Sequence, residues 1–232
     1  MKFPVLLTGA AGDIGTAIVK RLISLGYGVI GLDKISPIGD ESYLDFFVVD
    51  LTESSELSKI CHHIKQKYCP LWGLIHCAGI YPIVPLSIYT EDLWNEVQNV
   101  NLKSAFQIVR ELQSEITGGG RIVFVSSGAA HLGSGDIGYS TSKAGLLGLA
   151  RGLAKVFATK GILVNSVCPG LVTSQMSEKM TSEHASRTQQ AVPLARAGRP
   201  DEVAICVSFL LDPENSYMTG ATIDVNGGLY MP

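Results

Sequence analysis

The chain has 232 residues, of which 46% are hydrophobic, and a formal net charge of −3. That length and apolar content suit one large domain over residues 1–232 with a substantial core. The faint acidity, without any run of basic residues, excludes the electrostatic footprint of a nucleic-acid or anionic-membrane binder.

Short apolar runs predict strands at Val5–Thr8, Gly28–Asp33, Asp45–Val49, Gly73–Cys77, Arg121–Ser126, Leu163–Cys168 and Thr222–Val225. Amphipathic stretches near 14–25, 53–67, 91–116, 139–159 and 201–211 predict the intervening helices. Strands apolar on both faces and separated by helices imply a mainly parallel sheet covered on both sides. Right-handed crossovers then give an α/β, Rossmann-type, doubly wound sheet of about seven strands.

In chain order, the first informative segment is the turn Thr8–Gly15, between the first strand and the first helix. There the backbone N–H groups of Gly9, Gly12, Asp13, Ile14 and Gly15 can approach a pyrophosphate at the helix N-terminus. The Asp13 carboxylate is unfavourable beside a phosphate unless it points away or caps the helix. Asp33 ends the second strand, where an acid accepts hydrogen bonds from the adenosine ribose hydroxyls. A 2′-phosphate there would meet like charge, at a cost of about 3–4 kcal/mol per unit charge at about 4 Å, so NAD is expected over NADP. Lys34 offsets part of that penalty. Asp50, followed by Leu51, either reaches the adenine amino group or caps the next helix.

Cysteine chemistry adds little. Cys61, Cys69, Cys77, Cys168 and Cys206 form no C-x-x-C pair and no metal-finger spacing, which fits a reducing cytoplasm and no metal. His62 and His63 are adjacent and diverge by about 100° on a helix, too far to share an ion. The segment Phe3–Thr8 is too short for a signal h-region, and Ala144–Ala158 is interrupted by Arg151 and Lys155, so no membrane association is expected. Both 91–116 and Ala144–Phe157 carry more apolar residues than one buried face requires. Paired helices of a homo-oligomer, a tetramer rather than a dimer, are the expectation.

Tyr139 and Lys143 lie one helical turn apart on one face. A phenol titrates near pH ~10 and is a poor base at neutrality. A lysine charge about 5 Å away, at an effective dielectric of about 20, is worth roughly 3 kcal/mol and predicts a phenol pKa lowered by roughly two units.

Together these segments resemble the short-chain dehydrogenase/reductase family across nearly the whole chain. The resemblance is carried by the T-G-x-x-x-x-x-G turn, His76-Cys77-Ala78-Gly79, Val100-Asn101-Leu102, Ser126-Ser127 and Tyr139 to Lys143. Pro169-Gly170, Pro193 to Val203, and Thr219-Gly220 through Asn226-Gly227-Gly228 complete it.

The resemblance implies Tyr139 as general acid/base and Lys143 as the group that tunes it and holds the nicotinamide ribose. Ser127 would bond the reacting oxygen, with Ser126 as fallback because the loop to Tyr139 is one residue short of the usual spacing. Asn101 would hold a relay water. Ala78, Gly79, Pro169, Gly170, Val172, Thr173 and Ser174 join the cofactor set, the carboxamide going to Ser174 or Thr173. His76 stands where the family usually has Asn, and is either a satisfied strand-end histidine or a cofactor contact.

The substrate lid corresponds to Leu171–Ala197, with Ser127, His131, Tyr81 and Met176, beside Leu132 and Pro82, as substrate contacts. The implied activity is NAD-dependent interconversion of a small secondary alcohol and a ketone. The alternatives are a 3-oxoacyl-(acyl-carrier-protein) reductase and, from another class, a non-catalytic nucleotide-sensing protein. The stretch Ile80–Val100 contains no Lys or Arg to meet an acidic carrier, which weighs against the former.

Overall fold

A computed structural model describes residues 2–39 and 41–232. The strands are β1 (Lys2–Thr8), β2 (Tyr27–Asp33), β3 (Asp45–Val48), β4 (Leu71–His76), β5 (Ile116–Val125), β6 (Leu163–Pro169) and β7 (Thr222–Val225). They form one seven-stranded sheet in the order β3-β2-β1-β4-β5-β6-β7, with every pairing parallel. The helices are α1 (Asp13–Ser24), α2 (Ser54–Tyr68), α3 (Glu91–Gln98), α4 (Ser104–Leu112), α5 (Ala129–Leu132), α6 (Ile137–Phe157), α7 (Gln175–Glu178), α8 (Ser182–Gln190) and α9 (Pro200–Leu211). The expected doubly wound architecture is present.

Alternation along the strands divides the core into two layers. Leu6, Ile30, Leu74 and Phe124 face one way and pack with Leu57 and Ile64 of α2, Leu112 of α4 and Leu146 of α6. Val5, Leu7, Val29, Ile75 and Val123 face the other way, against Ile18 and Leu22 of α1 and Val207 and Leu211 of α9. Each fully buried side chain of this kind contributes roughly 1.5–3 kcal/mol. Because both faces are covered, β2 and β4 lack the alternation of a half-exposed strand.

The largest departures from the periodicity lie between residues 91 and 125. The helix expected over 91–116 is two helices joined by a π-turn, Asn99–Lys103, and β5 already starts at Ile116, five residues before the apolar run. The glycines at 118–120 hid that extension, since glycine reads as a turn. Among the described residues no helix is long and apolar enough to cross a membrane. The strand order reverses between β1 and β4, so a crevice opens at the C-terminal ends of these strands, where the fold places ligands.

Candidate active site

That crevice is a cleft of about 760 Å³, running from Asp33 and Ile35 past the glycine turn to Ser127, Tyr139 and Lys143. Its upper end is shaped by a backbone that only glycine permits. Gly9 has φ 69°, and a Cβ on it would sit 2.6 Å from the backbone nitrogen of Ala78. The Asp33 carboxylate accepts from the amides of Ala11 (2.9 Å), Lys34 (2.7 Å) and Ile35 (3.3 Å), which fixes it at the end of β2.

Lys34 is committed to Asp50 at 2.6 Å. Asp50 also accepts from the amide and hydroxyl of Thr52, and together these partners, Lys34 foremost, hold its pKa near about 2. The N-cap of α2 is Glu53, so Asp50 does not cap that helix. Asp13 does not cap α1 either. Its carboxylate points across the cleft and accepts from the amide of Gln175 at 2.8 Å.

The floor is built where β5 meets α6. Asp136 is the N-cap of α6 and accepts from the amide of Tyr139 at 2.9 Å, which starts the helix three residues before the phenol. Tyr139 and Lys143 are 9% and 4% exposed. Burial raises the Tyr139 pKa to about 12, against a lowering pull from a hydrogen bond with Ser127. Burial pushes Lys143 down to about 8, and its ammonium donates to the carbonyl of Val125 at 3.0 Å.

The expected acidified phenol is therefore not found. The Lys143 nitrogen lies 5.8 Å from the Tyr139 ring centre, and desolvation by burial is the dominant influence on the phenol. A phenol in this state keeps its proton at neutral pH, which suits donation to a carbonyl oxygen.

Both serines line the cleft. Ser126 is buried and spends its hydroxyl on the carbonyl of Lys143 at 2.7 Å, whereas Ser127 is only partly buried. Asn101, fully buried at the π-turn, lies behind Gly79 and outside the cleft lining. Its side chain bonds both backbone groups of Ile80 (2.8 and 3.1 Å) and the hydroxyl of Ser142 (2.9 Å), so it holds the loop and α6 together. Its expected place at the site becomes one of support. A Cβ at Gly79 would lie 3.0 Å from the Lys143 nitrogen, so this glycine keeps the ammonium accessible.

Comparison with known proteins agrees with this geometry. Residues 9–230 match the family model described as enoyl-(acyl carrier protein) reductase. A 3-oxoacyl-(acyl-carrier-protein) reductase of Buchnera aphidicola is 37% identical over 236 residues, covering 97% of this chain and 96% of that protein. The acetoacetyl-CoA reductase of Allochromatium vinosum is 32% identical over 240 residues, covering 97% and 98% respectively. A solved short-chain dehydrogenase family protein from Francisella tularensis superposes with a TM-score of 0.91 at 26% identity, covering 99% of each chain. The chain belongs to the short-chain dehydrogenase/reductase family. The ligand-free aldohexose dehydrogenase of Thermoplasma acidophilum is similar too, with a TM-score of 0.90 at 28% identity over 98% of this chain and 93% of that one.

His76 occupies a buried position at the end of β4. It is fully enclosed and does not line the cleft, so it is a satisfied strand-end histidine, not a cofactor contact. Its Nε2 faces the carbonyl of Asn101 at 3.2 Å and must donate, which leaves Nδ1 to accept from the Thr8 hydroxyl at 2.9 Å. Thr8 in turn accepts from the amide of Ala78 at 3.2 Å. This chain of bonds ties β1, β4 and the π-turn together, and burial lowers the His76 pKa to about 3.

Of the expected cofactor residues, all but Thr173 line the cleft. Thr173 is exposed and turned out, so of the two hydroxyls only Ser174 faces it. On the substrate side Tyr81 and Met176 line the cleft, the Tyr81 ring 4.4 Å from that of Tyr139. His131 does not. It turns the other way, stacks on Tyr230 at 4.4 Å, and brings Nε2 to 3.5 Å from Asp224. Its neighbour Leu132 takes the cleft side, because α5 separates successive side chains by about 100°. Pro82 is also outside the lining.

Sequence reading missed Ile35, Ile80, Arg187 and Leu229, all in the cleft wall. It also missed Asp136, which is 2% exposed. Beyond Tyr139, Asp136 accepts from the amides of Ile83 (2.9 Å) and Val84 (3.2 Å) and from the hydroxyl of Tyr89 (3.0 Å). Ile83 has φ 62°, a strained conformation for a β-branched residue, and Asp136 pins it there. An Asp before an apolar helix start is the signal that would have found it.

Proposed function

We propose that this chain is an NAD-dependent oxidoreductase that interconverts a secondary alcohol and a ketone, with Tyr139 as general acid/base. The observation that carries this reading is the single cleft joining Asp33 at one end to the Tyr139 hydroxyl, Ser127 and Lys143 at the other. The fit to a dinucleotide rests on the Gly9 turn, whose backbone stays open only without a side chain, and on the Asp33 carboxylate held at the ribose end. Gly12, Ile14 and Gly15 would take the pyrophosphate, Leu51 and Asp50 the adenine side, and Ala78, Gly79, Pro169, Gly170, Val172 and Ser174 the nicotinamide half. A bound nicotinamide would supply the hydride chemistry.

What the chain itself contributes is the proton and its placement. The Tyr139 hydroxyl gives its proton to the reacting oxygen in reduction and takes it back in oxidation. Ser127 holds that oxygen by a second hydrogen bond. Lys143, held at about 8 by burial, lines the same cleft and would hold the ribose hydroxyls of the nicotinamide half. Tyr81 and Met176 wall the substrate.

Asp33 supports NAD, since its charge opposes a 2′-phosphate and Lys34 is already engaged by Asp50. Phe106 (48% exposed) and Val156 (64%) on α4 and α6 support helix pairing between subunits. A second apolar patch, Ile205 and Phe209 on α9, favours a tetramer over a dimer. A cytoplasmic location accords with five unpaired cysteines.

A second reading, reduction of a 3-oxoacyl thioester, is favoured by the names of the relatives above. Steady-state turnover of a β-ketoacyl thioester, polyols, sugars and ketones with each cofactor separates the two. Asp33→Ala should narrow the NAD/NADP preference by about tenfold. An unchanged ratio would remove the cofactor assignment, and thioester turnover with NADPH alone would promote the second reading.

A further inference from the structure

The charged side chains of the cleft are distributed unevenly. Asp13, Asp33, Lys34 and Asp50 lie toward the adenosine end, and each has a protein partner. Glu96 sits close enough to Lys34 to raise its pKa, which places it at that end too. Lys143 on the floor is bonded to Val125. The lid wall is neutral at Met176, Met180, Thr188 and Ala191, and it faces Tyr81 and Leu132. One cation interrupts it. Arg187 of α8 lines the cleft as an exposed side chain, and its guanidinium makes no hydrogen bond or ion pair among the described residues.

A guanidinium presents donors in a planar fork that matches a carboxylate or phosphate. Set in an otherwise neutral, largely apolar wall, it lacks the hydrogen-bond or ion-pair partner that every other ion of the cleft except Glu96 finds within the protein.

We propose that the substrate of this site is anionic, its carboxylate or phosphate held by Arg187 while its carbonyl reaches Tyr139. This rests on the carbonyl-reducing reading above and narrows it. Neutral polyols and simple ketones become poor substrates. The preferred molecule is a short apolar carbonyl compound with an acidic group at its far end. Met176, Met180 and Leu132 would hold the apolar part, and Arg187 the charge. Because Arg187 acts on binding, its effect belongs in KM rather than kcat.

The test compares acetoacetate (a carboxylate), acetoacetyl-CoA (phosphates) and ethyl acetoacetate (neutral) in wild type, Arg187→Ala and Arg187→Lys. The quantity read is the ratio of kcat/KM for each anion to that for the ester. A charge-assisted contact predicts that R187A lowers this ratio by roughly 10- to 100-fold through KM, with partial recovery in R187K. The anion whose ratio falls identifies the recognised group. An equal ratio in wild type and R187A overturns the proposal, as does a wild-type preference for the ester. Calorimetric titration of acetoacetate and of CoA into the cofactor-loaded protein is an independent check, since equal affinities in wild type and R187A also overturn it. If no probe turns over with either cofactor while R187A still weakens anion binding, the carbonyl-reducing reading falls and the anion site stands.

Discussion

The floor of the cleft and its lid are built by opposite means. On the floor, Asn101, Asp136, His76, Tyr139 and Lys143 are each at most 9% exposed, and they are locked by hydrogen bonds from three different elements. The lid, 171–197, carries two short helices on which no described residue is buried, and it reaches the opposite wall through the amide of Gln175 on Asp13. Proton chemistry demands atoms placed to within about 0.5 Å, which buried and fully satisfied networks provide. Substrate choice demands adaptable contacts, which a weakly packed segment provides.

The sharpest way to break this contrast is Tyr139→Phe. Loss of the phenol should cost at least ~10³-fold in turnover while cofactor affinity, followed by fluorescence titration, stays nearly unchanged. An equal loss in both would make the floor merely structural.

Next in size is Asp136→Ala, which strands four donors, among them the amide of strained Ile83. Chemical denaturation should show a loss of about 3 kcal/mol, together with reduced kcat. A change within about 0.5 kcal/mol would mean that the floor is not held in the way described.

His76 sets a pH dependence. Its folded pKa, about 3, lies below the ordinary 6.5, so its contribution is intact above about 6.5 and is lost as pH falls toward 3. The slope is at most about 1.4 kcal/mol per pH unit. In His76→Asn that part of the acid destabilisation should vanish from urea melts taken across the window. Identical profiles would show that His76 is not buried in its neutral form.

The lid should give the smallest response. Met176→Ala is expected to raise KM by about fivefold with kcat nearly constant, because one partly exposed thioether wall contact is worth about 1 kcal/mol. A kcat loss comparable to that of the Tyr139 variant would erase the distinction between the two regions.

The same contrast governs how much can be read from the chain. The β1–α1–β2 unit is legible because apolar periodicity and glycines act locally: Val5, Leu7 and Ile18 announce their layers, and Gly9 its turn. Tyr139 and Lys143 follow from a one-turn spacing. What fails depends on distant partners. His131 reads as a substrate contact because it follows Ser127, but its direction is set by Tyr230 and Asp224, far along the chain. The lysine effect on the phenol follows from an assumed separation, while burial of both groups decides the balance. The α8 segment Ser182–Gln190 has almost no apolar period, so nothing local marks it as a helix or as the bearer of Arg187.

The π-turn at Asn99–Lys103 carries a consequence of its own. One additional residue in a helical rod rotates everything after it by about 100° relative to what precedes it. The segment from Glu91 to Leu112 thus has two angular phases: α3 is set by contacts with α6, and α4 by packing on α2. Excising Val100 would restore a single continuous winding and swing Phe106 and Ile108 out of their present headings. The inserted residue lets one polypeptide rod answer to two neighbours at once.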